Sequence, residues 1–106
     1  MQIDFKEKII VEKILLINII GVLEAMEEKA LLIDEAEKYL FSPHMIEVLK
    51  KENFNIDIID ILERGCELED IESLLPDKLM ENILELKQKA LTIITEYPKI
   101  DNRFWV

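Results

Sequence analysis

The stretch Ile9–Met26, IIVEKILLINIIGVLEAM, constrains the fold more than any other part of the chain. Drawn as a helix, it carries apolar residues on almost every side, from Ile9, Ile10 and Val11 through Ile14–Ile17 and Ile19–Ile20 to Val22, Leu23 and Met26. A helix that is apolar nearly all round must be surrounded by other elements. It is therefore expected to be the central helix of a small all-helical domain. Its polar positions Lys6, Lys13, Gly21, Glu24 and Glu28 lie close to one narrow stripe. Gly21 in mid-helix costs ~1 kcal/mol relative to Ala, which points to close approach of another helix there. Asn18 lies off the stripe, as a polar edge or as a register-fixing contact in a core or dimer.

A chain of 106 residues is one domain and can bury one real core without staples. Half of it is apolar and 34% is charged, a globular and not a disordered composition. With only two glycines and three prolines, a turn-rich β architecture is disfavoured. The expected fold is all-α: a compact bundle of about five to six helices around the N-terminal one, over residues 1–98. Residues 99–106 are left as an aromatic tail.

Punctuation places the helices. Asp4 can cap the first. Asp34, with Glu37 three residues on, suggests a capping box for a short helix that buries Ala36, Tyr39 and Leu40. Ser42-Pro43 starts another, with Ser42 as cap and Pro43 where no N–H is needed. It should run to about Glu52. The segment after Asn53-Phe54-Asn55 alternates like a strand over Phe54–Ile58 but also fits a helix face. Asn55 as cap and Gly65 just past the end favour helix. Glu67, Glu69, Asp70 and Glu72 crowd the next first turn, with Ile71, Leu74 and Leu75 expected inside. Pro76 should open a last helix to about Tyr97, buried along Leu79, Ile83, Leu86, Ala90 and Ile93 or Ile94 and packed along the first.

The run GVLEAMEEKALLIDEAEKYLFSPHM and the stretch ERGCELEDIESLLPDKL resemble a family of small bacterial helical proteins catalogued only as a domain of unknown function. The marks are EAEKYLFSP (Glu35–Pro43) and GCELEDIESLLP (Gly65–Pro76). The resemblance implies an intracellular helical protein and carries no activity or catalytic residue with it.

The residues offer little chemistry of their own. His44 is the only histidine, and His44 with Glu47 gives two possible ligands where a metal site needs three or four. Cys66 stands at a helix start, but Glu67, Glu69 and Asp70 oppose a thiolate and only Arg64 helps. No Gly-rich phosphate loop is present. No catalytic residue, metal or cofactor is expected. A net charge of −10 repels nucleic-acid phosphates and anionic membranes alike. Glu12, Lys13, Asn18 and Glu24 interrupt the apolar run well short of a ~18-residue span. The chain reads as cytoplasmic.

Its excess of Ile and Leu exceeds what so small a body can cover. The expected function is therefore a protein–protein interaction module, homodimeric, with Phe104 and Trp105 as candidate partner-binding residues. The alternative is an immunity- or antitoxin-like acidic inhibitor of a basic toxin. An enzyme using His44, Glu47 or Cys66 ranks below both.

Overall fold

The computed structural model describes residues 5–100, with side chains from Glu7 onward. Six α-helices follow in order: α1 Phe5–Glu27, α2 Ile33–Tyr39, α3 Pro43–Lys51, α4 Ile56–Cys66, α5 Leu68–Leu74 and α6 Leu79–Ile94. A 3-10 turn, Pro76–Lys78, joins the last two. No strand occurs among the described residues, so the ambiguous Ile56–Ile61 is helix. The proposed cap Asp4 lies outside the described residues.

At 1.5 Å per residue the 23 residues of α1 reach about 35 Å. They set the long axis of a body measuring 41 × 25 × 24 Å. The last helix, α6, runs back antiparallel along α1: Lys87 reaches Glu24 and Glu27, and Tyr97 reaches Glu12 near the other end. Leu16, Ile19 and Leu23 of α1, Ile58, Ile61 and Leu62 of α4, and Ile83, Leu86 and Ala90 of α6 meet in one core. Each large aliphatic side chain so buried contributes about 1.5–3 kcal/mol relative to exposure.

The first helix is flanked, not encircled. Its inward face is the 12–16–19–23–26 stripe, and its opposite face carries exposed Val11, Ile17 and Gly21. The helix is less enclosed than expected, because among the described residues α6 and α2 pack along one side of it. The other element expected along α1 behaves as read: Ile83, Leu86 and Ala90 are buried, and Leu79, Ile93, Ile94 and Tyr97 are packed against the core.

Caps explain most boundaries. Ser42 Oγ accepts from the Met45 N–H at 3.2 Å, with Pro43 at the first helical position. Asn55 Oδ1 accepts from the Asp57 N–H at 2.8 Å and starts α4. The second helix begins earlier than Asp34. Leu32 is its cap residue, and the Glu35 carboxylate accepts from the Leu32 N–H at 3.2 Å. That register turns Ile33 and Ala36 inward and leaves Tyr39 62% exposed, against the expectation that Tyr39 is buried. Leu74 and Leu75 are also exposed, because α5 is one short helix whose inward position is taken by Leu68. Pro76 opens the 3-10 turn before α6, and α6 ends at Ile94, short of Tyr97.

Neither glycine plays its expected role. Gly65 lies within α4 and not beyond its end, pressed against the Phe41 ring: a Cβ there would stand 2.7 Å from Phe41 Cδ1. Gly21 has nothing within 4 Å of its Cβ position, so the helix expected to approach there is not in the described molecule.

Candidate functional site

The outward face of α1 is apolar because its residues repeat at helical spacing. Ile10, Ile14, Ile17 and Gly21 follow one another at intervals of four, three and four, with Val11 and Ala25 alongside. Such spacing keeps side chains on one face over three turns. Ile17 is 50% exposed and Val11 38%. Beside it, α2 completes a shallow groove lined by Ile17, Gly21, Ala25, Leu31 and Tyr39, with Asn18 and Glu35 as its polar members.

Two hydrogen bonds shape this groove. The Tyr39 hydroxyl donates to Asn18 Oδ1 at 2.8 Å, and Asn18 Nδ2 donates to the Ile14 carbonyl at 3.0 Å. Asn18 is thus the polar edge anticipated, and it braces the tyrosine across to α1. The turn that returns the chain is closed by the Ala30 and Leu31 N–H groups on the Ala25 carbonyl, with Lys29 in the left-handed region at φ 61°. Leu32, 67% exposed, extends the apolar surface past that turn.

The residues picked for chemistry do not converge. His44 and Glu47 share the exposed side of α3 as their spacing requires. The Cys66 thiol donates to the Phe41 carbonyl at 3.2 Å. Burial pushes that thiol up, and Glu37, Glu63 and Glu67 push it the same way, which opposes a thiolate. Among the described residues, one group of carboxylates stands close enough to share a cation: Glu24, Glu27 and Glu28. Lys87 already bonds two of them, and these bonds push its ammonium up to about 12. Phe104 and Trp105 lie outside the described residues.

A polar centre that sequence reasoning missed sits at the far end of α1. Glu12 is buried. Its carboxylate accepts from the Asn55 N–H at 2.5 Å and from the Tyr97 hydroxyl at 2.8 Å, and Asn55 Nδ2 donates to Tyr97 at 3.0 Å. Three elements are tied by these bonds: α1, the start of α4 and the end of α6. The signal was present, since Glu12 falls on the same stripe as Leu16, Ile19 and Leu23. Burial pushes the Tyr97 hydroxyl up to about 12; Asn55 works against that rise and Glu12 adds to it. The fold therefore favours neutral Tyr97. Its contribution is complete below pH 10 and is lost as pH climbs toward about 12. In an ultraviolet titration one of the two tyrosines should ionise only near pH 12, and Tyr97→Phe should remove that late step. Full ionisation of both by pH 10.5 in the folded protein would contradict the assignment.

A second concentration of charge lies where α2 meets α5. Glu37 is pushed up by burial and by its hydrogen bond with Glu69, with Asp34 and Asp70 adding repulsion. No helix among the described residues is long and apolar enough to cross a membrane.

A family model described as "Protein of unknown function (DUF3969)" matches residues 6–106. No curated protein and no solved structure shows significant similarity to the chain.

Proposed function

The chain belongs to the family "Protein of unknown function (DUF3969)", and for it we propose a role as a non-enzymatic protein–protein interaction module, acting in the cytoplasm as a homodimer. The observation that carries this reading is the outward face of α1 and α2. Ile17 and Tyr39, both at least half exposed, line one groove there with Ala25 and Leu31 around an exposed glycine. Contiguous apolar surface rimmed by polar groups marks association sites. The scattered positions of His44 and Cys66 give no competing centre.

The alternative, an immunity- or antitoxin-like inhibitor of a basic toxin, draws on a different surface. The carboxylates of α2 and α5, Glu37 and Glu69 foremost, would meet a basic protein, and the net charge of −10 would speed that encounter at low salt.

Light scattering at micromolar concentration separates the two. The homodimer gives twice the 12.5 kDa chain mass, and salt leaves it in place because the face is apolar. A monomer that captures a stoichiometric basic protein only at low salt supports the inhibitor instead. A monomer with no partner contradicts both.

A further inference from the structure

We draw no further inference here: the strongest candidate, the open apolar groove between the α1–α2 turn, α5 and α6 that Met26, Leu31, Leu79 and Ile83 line together with Lys29 and Glu72, carries nothing because nothing in the structure shows what covers it.

Discussion

Gly65→Val should lower the unfolding free energy by about 3 kcal/mol, the upper end of what overpacking a filled core costs. The reason is the Phe41 ring. A Cβ on residue 65 would stand 2.7 Å from Cδ1, 2.8 Å from Cγ and 3.0 Å from Cε1 of that ring. Phe41 is 1% exposed and cannot swing into solvent. Either α4 moves away or the ring leaves its rotamer. Helix propensity works the other way, since valine is a better helix former than glycine by a few tenths of a kcal/mol, but packing dominates. The pair should be non-additive. Phe41→Leu alone leaves a partial void, whereas Phe41→Leu with Gly65→Ala refills part of it. Denaturant unfolding of the four chains measures the coupling. A Gly65→Val protein as stable as the parent would show that the ring does not pack on α4.

Glu12→Ala should cost a comparable amount, about 3 kcal/mol. Two donors lose their acceptor together: the Asn55 N–H and the Tyr97 hydroxyl. A buried group left unsatisfied costs about 1–3 kcal/mol, and the missing carboxylate leaves a void besides. Glu12→Gln keeps one acceptor oxygen but turns the other position into a donor, and should cost about 1 kcal/mol. Hydrogen exchange localises the effect. The amides at the start of α4 and the end of α6 should lose protection in Glu12→Ala before those of the α1–α6 centre. Equal losses everywhere would mean that Glu12 is not the tie between those ends.

The sequence made the helices legible because their punctuation is chemical and local. Ser42-Pro43 and Asn55 act as written, each supplying an oxygen to a free N–H two or three residues on. The stripe Ile83–Leu86–Ala90 told which way α6 faces. What stayed hidden depends on neighbours distant in the chain. Gly65 looked like a helix terminator because its real partner, the Phe41 ring, is 24 residues away. Tyr39 looked buried by spacing, but the inward stripe of that helix runs through Ile33, Ala36 and Leu40 and leaves its ring outside. The apolar excess of α1 was visible, yet apolar residues all round a helix do not say which side is left uncovered. Only the placement of α2 and α6 decides that the open side is the one bearing Ile17 and Gly21.

That open side carries the central claim, and Ile17→Glu addresses it most directly. Ile17 is half exposed and makes no polar contact, so glutamate there should leave the monomer folded. In a seam between two copies of this apolar face it would bury a carboxylate from each copy, and such unpaired charges oppose association. Sedimentation equilibrium of wild type and Ile17→Glu at equal micromolar concentration should give a dimer for the first and a folded 12.5 kDa monomer for the second. A wild-type monomer, or a variant as dimeric as its parent, would contradict the account.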